Sequence, residues 1–486
     1  MDDGMDLEDI VNDASYTLGA SERAKAESQA ILDELERKKR ARSLAVPTDD
    51  GRVRARLREL GEPITLFGER AADRRDRLRY ILSQMGVERG IPVEDEDSGS
   101  EGDDQEEEFY TPGPLDLLDA RRKLAEFSLP RAAERVSYQR AESSLPLNRI
   151  VEARKKVFAE VKTFNILGTQ VADDRPVSQV RFSPDSKLLA TGSWSGAVKV
   201  WGIPNCDARL TFRAHSDKVG GIAWHPRATI GQEVSAVNLV SGGAEGDLHL
   251  WSLANDQALA TLKGHQDRVC RVAFHPCGAY VGSASFDGTW RLWDVASAKE
   301  ILLQEGHSKE VYAIEFQDDG SLVASGGLDA IGRVWDLRTG RTAMVLDGHV
   351  QGIYAIDFSP NGYQVATGSG DDTIRIWDIR ALKALHTIPA HKSTVSDVRF
   401  FRTTNRFQPV PNMMDPLPSG LYLASAGYDG LVKIWSADDW QLLRSLPTDA
   451  GKVMSCDFAK DGRFLASGSW NRSFQLYATE KALDEM

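Results

Sequence analysis

Through the last two thirds of the chain, apolar and polar residues alternate in short runs, such as VCRVAF at 269–274 and TWRLW at 289–293. Runs of this length with a period of two read as half-buried strands, and the Asp-Gly and Pro-Asn-Gly steps between them read as hairpin turns. The runs recur on a fixed spacing. A hydroxyl residue is followed four positions later by a polar, usually acidic residue, and six positions after that by an aromatic one. The sets are Thr191/Ser195/Trp201, Ser241/Glu245/Trp251, Ser283/Asp287/Trp293, Ser325/Asp329/Trp335, Thr367/Asp371/Trp377, Ser425/Asp429/Trp435 and Ser467/Asn471/Tyr477. His265, His307, His349 and His391 stand 42 residues apart, and His215 begins an earlier copy. Four short strands per period make one propeller blade, so the spacing predicts an all-β, seven-bladed ring over residues 162–480. The seventh copy ends near Tyr477 with no room for a fourth strand. Residues 163–169 are expected to supply it and so remove an exposed sheet edge.

The same residues carry a resemblance to the WD40 family. Gly264-His265, Gly306-His307 and Gly348-His349 match its GH element, and Trp293-Asp294, Trp335-Asp336 and Trp377-Asp378 match its WD dipeptide. The resemblance covers about residues 162–478.

His, Ser or Thr, Asp and Trp recurring together invite a catalytic reading, with a nucleophile beside a general base. The sets are His265, Ser283, Asp287 and Trp293; His307, Ser325, Asp329 and Trp335; and His349, Thr367, Asp371 and Trp377. A hydrolase does not need one constellation in several blades. The repetition favours structural tetrads, hydrogen-bond chains that tie strands to a tight turn. Blade one agrees, with Asp173-Asp174 where the His is expected, as does blade seven with Asp449. No phosphate-binding Gly loop, metal cluster or unique triad stands out, so no catalytic residue, metal or cofactor is expected.

The residue before each turn marker should point to the face that bears those turns. Trp194, Phe286, Tyr428 and Trp470 make four of these seven positions aromatic. Strand-start positions add Lys218, Arg268, Tyr312, Tyr354 and Lys452. Aromatics with scattered cations are the composition of a protein-binding rim suited to a helical or acidic peptide, whereas the bland alternative has some of them filling blade interfaces. Two longer blades carry insertions on the opposite face, and the second, at 403–420, is rich in proline.

The first third is different material. Residues 1–47 read as a helical or disordered segment, 48–90 as a helical hairpin, 91–113 as an acidic disordered linker and 114–161 as a helical connector. The linker has ten acidic residues and no basic one between 94 and 108. Pro130 and Pro146 are expected to divide the connector into three helical runs, which also breaks any sustained heptad ahead of the ring. The cluster 37–42 (RKKRAR) is either a nuclear import signal or the basic end of a helix. The 486 residues carry a formal net charge of −13, which opposes a broad phosphate-binding footprint. Four cysteines without CxxC pairing fit a reducing compartment, and no run of 18 apolar residues is present to span a membrane.

Residues 52–79 run against that acidity, with nine arginines and five acids around a sharp turn at Pro63. The bland reading is a hairpin with a solvated Arg face. The sharper one is a recognition module, in which Arg54, Arg56, Arg58, Arg74, Arg75, Arg77 and the apolar Phe67 meet RNA or a partner. This segment resembles the splicing factor motif of pre-mRNA processing factors. Together with the seven repeats, with FYTPGP at 109–114 and with SLPRAAER at 128–135, it is similar to the pre-mRNA-processing factor four family, the WD40 subunits of the U4/U6 small nuclear ribonucleoprotein. That resemblance implies a nuclear, non-enzymatic scaffold of the U4/U6 and U4/U6.U5 tri-snRNP that supports splicing. It also implies binding to a pre-mRNA-processing factor three-like protein, association with a cyclophilin-type subunit, and largely indirect contact with U4/U6 RNA by a ring monomeric within the larger complex. The contrasting class is a propeller substrate receptor of a ubiquitin ligase or a G-protein-β-like adaptor outside the spliceosome.

Overall fold

The computed structural model describes residues 50–64, 69–88, 115–403, 419–448 and 451–485. The segments expected at 1–47 and 91–113, Phe67, Asp449 and most of the proline-rich insertion lie outside the described residues. The chain divides into two compact units, residues 1–106 and 107–486.

The first unit is a helical hairpin of α1 (Asp50–Glu59) and α2 (Ala71–Glu88). Val53 and Leu57, one turn apart, bury against Leu78 of α2, with Leu60, Ile81 and Leu82 around them. So small an apolar contact is supplemented by ion pairs. Arg74, only 5% exposed, pairs with Asp50 and lies 3.7 Å from Glu69. Arg77 binds Glu69 at 2.7 Å and donates to the Pro63 carbonyl at 2.8 Å, which fixes the turn.

The second unit is the ring. It contains seven four-stranded antiparallel sheets, each ordered from the axis outward: β2 (Val177–Phe182) to β5 (Asp207–Arg213) form blade one, and each following group of four forms the next. In blade seven, β26 (Val453–Phe458), β27 (Phe464–Ser469) and β28 (Ser473–Ala478) are completed by β1 (Asn165–Val171), which pairs antiparallel with β28 from Asn165↔Ala478 to Val171↔Ser473. The chain therefore closes its own ring with the strand expected near 163–169, and no blade sheet is left one strand short. Core clusters lie between successive blades, as where Val198, Phe212 and Trp251 meet across blades one and two.

The connector differs from the sequence expectation. Residues 115–161 form two helices rather than three, because α3 (Leu115–Ser143) runs through Pro130 and only Pro146 makes a break before α4 (Leu147–Val161). An interior proline removes a backbone donor and costs about 3 kcal/mol. Anchors on both sides of it offset that cost. Leu117, Ala120 and Leu124 sink into the core of blades three and four, and beyond the proline Arg131 donates to the Asp318 carbonyl at 2.8 Å. Arg135 pairs with Asp319 at 2.8 Å, and Gln139 donates to the Asn361 carbonyl at 2.8 Å. All these acceptors sit in turns between the first and second strands of their blades. Farther along, Arg154 of α4 pairs with Asp438 of blade six at 2.8 Å, while Val161 and Phe164 join the core of blades six and seven. Two helices thus cover one face of the ring, and the face that bears the marker turns is the opposite one.

Candidate functional site: the marker-turn rim

The strand-to-turn network comes first, because it decides which polar residues are available. In blade three the Trp293 indole donates to the Ser283 hydroxyl at 2.8 Å. That hydroxyl lies 2.6 Å from His265 Nε2, and His265 Nδ1 faces Asp287 at 2.8 Å. Blade four repeats the chain through Trp335, Ser325, His307 and Asp329, and blade five through Trp377, Thr367, His349 and Asp371. Blade six follows with Trp435, Ser425, His391 and Asp429. Ser283, Ser325 and Thr367 are fully buried, with a Trp N–H on the very oxygen that a nucleophile would use. Burial pushes the Asp287 carboxyl up, but hydrogen bonds from His265 and Thr289 outweigh it and hold the group well below the ordinary range. In blade one the network is rebuilt without a His, because Asp173 accepts directly from the Ser195 hydroxyl. Ser283→Ala should leave the Trp293 N–H and one His265 nitrogen unpaired in the interior. A loss of about 2–3 kcal/mol is expected in a thermal melt, with no change in binding at the rim.

On the open face, the nine rim positions are brought into two neighbouring clusters. In the first, Trp194 and Trp470 meet edge to face at 4.8 Å between ring centroids. Lys218 caps Trp194 at 4.9 Å, and Lys452 lies 5.7 Å from Trp470 and 5.3 Å from Tyr428. Trp470 is 43% exposed, unusual for an indole in a ring whose other large aromatics are mostly interior. In the second, Arg268 stacks on Phe286 at 4.1 Å, Phe286 lies 6.4 Å from Tyr312, and Tyr312 meets Tyr354 at 5.1 Å. Arg271, not singled out in the sequence, stands 5.2 Å from Tyr312; its place inside a strand run hid that it faces the axis. Burial pushes the Tyr428 phenol up to about 12, and the nearby Tyr312 and Tyr354 add to the shift, which places Tyr428 beside the second cluster as well. The rim is thus a half-buried aromatic arc topped by cations, able to grip an apolar side chain and an acidic neighbour together.

Below the arc, charged side chains of the innermost strands fill the axis. Arg181 pairs with Asp397 at 3.0 Å from blade one to blade six, and Arg399 of blade six pairs with Glu315 of blade four. Arg402 pairs with Asp357 at 2.6 Å. Between this plug and the covered face lies a cavity of about 690 Å³ lined by Arg131, Arg181, Glu315, Arg399, Arg402, Asp457 and others. Its acids and bases are mixed, so it does not select an anion.

The hairpin residues separate into two groups. Arg54, Arg56 and Arg58 are exposed along α1, the first two within reach of Asp50 and Glu59. Arg74 and Arg77 are turned inward in the clasp described above, and Arg75 is half-buried. Nothing in the local pattern marks this division, since all six fall in the same basic stretch.

A closed ring with a buried repeat network and an aromatic outer rim defines a repeat propeller of the WD40 class. Seven segments between residues 164 and 477 match the family described as WD domain, G-beta repeat. Residues 53–81 match the family described as pre-mRNA processing factor 4 (PRP4) like. The chain is 39% identical over 448 residues to U4/U6 small nuclear ribonucleoprotein PRP4 of Saccharomyces cerevisiae, covering 89% of this chain and 90% of that protein. The protein of the same name from Bos taurus is 43% identical over 219 residues, 44% of this chain, and the match spans only 42% of the bovine protein. A PRP4-like protein of Arabidopsis thaliana is 38% identical over 215 residues, 42% of this chain and 39% of its own. The chain belongs to the PRP4 family of WD40-repeat proteins.

Proposed function

We propose that this chain is a non-catalytic scaffold subunit of the U4/U6 small nuclear ribonucleoprotein and of the tri-snRNP built from it, acting in the nucleus. The observation that carries the scaffold reading is the aromatic and cationic arc on the face opposite the one that α3 and α4 cover. Its occupant is a protein segment that presents an apolar anchor beside acidic residues, in the manner of a pre-mRNA-processing factor three-like partner. A cyclophilin-type subunit joins through that partner. Family membership supports the choice of particle, since the relatives are named for U4/U6. Tagged chain added to nuclear extract should co-sediment with the U4/U6 particle; its absence there, with the ring folded, would sink the reading.

The hairpin supplies the second contact, through the exposed Arg54, Arg56 and Arg58, with RNA reached largely by way of protein. Reversing these three to Glu should weaken association with the particle at least ten-fold and leave the hairpin helical. Arg74→Glu should instead unfold the hairpin, because it places an acid between Asp50 and Glu69. Circular dichroism of residues 48–90 alongside the pull-down separates the two outcomes.

A further inference from the structure

Blade two breaks the ring's own rule at one position. Four residues after each turn marker, blades one and three to six carry a cation, at Lys199, Arg291, Arg333, Arg375 and Lys433, and blade seven carries the neutral Gln475. In blade three that side chain is a standing cation beside the marker carboxylate, with Arg291 3.6 Å from Asp287. Blade two has His249 instead, and its marker is Glu245, one methylene longer than Asp. His215 Nδ1 contacts one Glu245 oxygen, His249 Nε2 lies 3.9 Å from the same oxygen, and the two imidazoles pack with centroids 4.4 Å apart.

Two further features suit a cation bound at this point. In blades three to six the marker carboxylate is held by backbone N–H groups, such as those of Gln266 and Thr289 on Asp287 and of Lys392 and Leu431 on Asp429. Glu245 takes a backbone bond from its own N–H instead, and its Oε2 is buried without a partner. The far nitrogen of each His is already held by a hydroxyl: His215 Nε2 by Ser241 at 2.6 Å and His249 Nδ1 by Thr261 at 2.9 Å. That is the outer shell which fixes the tautomer of a metal-ligating imidazole.

We propose that His215, Glu245 and His249 form a binding site for a divalent transition metal of the zinc class, a neutral His pair and one carboxylate with a fourth position open to water. The three donor atoms lie within 4.8 Å of one another. Ligands about 2.1 Å from one ion sit about 3.4 Å apart in a tetrahedron, so closure needs a shift of about an ångström or so, and Glu245 is in a turn that can supply it. The ion would take the place of the Arg or Lys of blades one and three to six and tie that turn to the strand of His249 and the loop of His215.

The test uses the full chain, stripped with chelator and titrated with zinc chloride. Expected are one tightly held equivalent, a rise in melting temperature on adding zinc, and cobalt substitution giving visible d–d bands without a thiolate charge-transfer band. His249→Arg restores the pattern of the neighbouring blades and should keep the fold while weakening zinc at least ten-fold. Glu245→Gln keeps the shape and should do the same, which guards against a folding defect in the first variant. Equal zinc binding by both variants, a thiolate band, or no zinc-dependent rise in the wild type would each overturn the site.

Discussion

Replacing Trp194 and Trp470 together by Ala should lower affinity for the protein partner by a few hundred-fold, measured by calorimetry on the purified ring. A buried aromatic anchor contributes about 2 kcal/mol or more, and 1.4 kcal/mol is a factor of ten. The two indoles touch at 4.8 Å, so their effects are coupled. Each single variant removes its own contact and also the wall against which the other packs. The single losses should therefore sum to more than the double loss. Lys452 reaches both Trp470 and Tyr428, and Lys452→Ala should cost less, since a partly solvated cation over a ring contributes about 0.5–1 kcal/mol. The melting temperature should hold, because neither Trp194 nor Trp470 belongs to a core cluster. Unchanged affinity in the double variant would move the partner off this arc.

The ring was legible because its markers are local and repeated. The closing strand was legible for a similar reason: seven blades with three strands in the last leave one place to fill. The rim followed from strand alternation, which fixes which residues precede each turn. Three things did not follow. Pro130 stays inside α3 because parts of the ring far away in sequence hold the helix on both sides of it, the blade core around Leu117, Ala120 and Leu124 before it and the turns at Asp318, Asp319 and Asn361 after it. His249 drew no attention because it departs from the pattern at a position without a marker role, and only the neighbouring blades' Arg and Lys reveal the change. The inward turn of Arg74 needs the partner helix, since nothing within its own stretch distinguishes it from Arg54.

The charges on the ring axis were equally unreadable, for Arg181 and Asp397 lie 216 residues apart, and they carry the largest expected effect on stability. Asp397 is 4% exposed and accepts from Arg181 at 3.0 Å, from the Ser455 hydroxyl at 2.7 Å and from the Cys456 N–H at 3.3 Å, joining blades one, six and seven. Asp397→Ala leaves the Arg181 guanidinium buried without its counter-charge, and its Nη2 already has no partner. Removing one member of a buried pair costs about 3–5 kcal/mol, because the other charge stays desolvated. Replacing both, as Arg181→Met with Asp397→Leu, should recover most of that loss, since the pair's own desolvation disappears with it. The dependence on pH has a definite sign. Burial pushes the Asp397 carboxyl up, but Arg181, Arg399 and Arg271 outweigh it and hold the group down at about 2. A carboxyl depressed in the folded state stabilises fully above its unfolded value near 4, and that contribution fades as pH falls toward 2. The stability gap between wild type and Asp397→Asn should therefore be constant from pH 5 to 8 and should close between about pH 4 and 2 in chemical denaturation. A gap that widened on acidification would mean that Asp397 is protonated in the folded ring and that Arg181 is balanced from elsewhere.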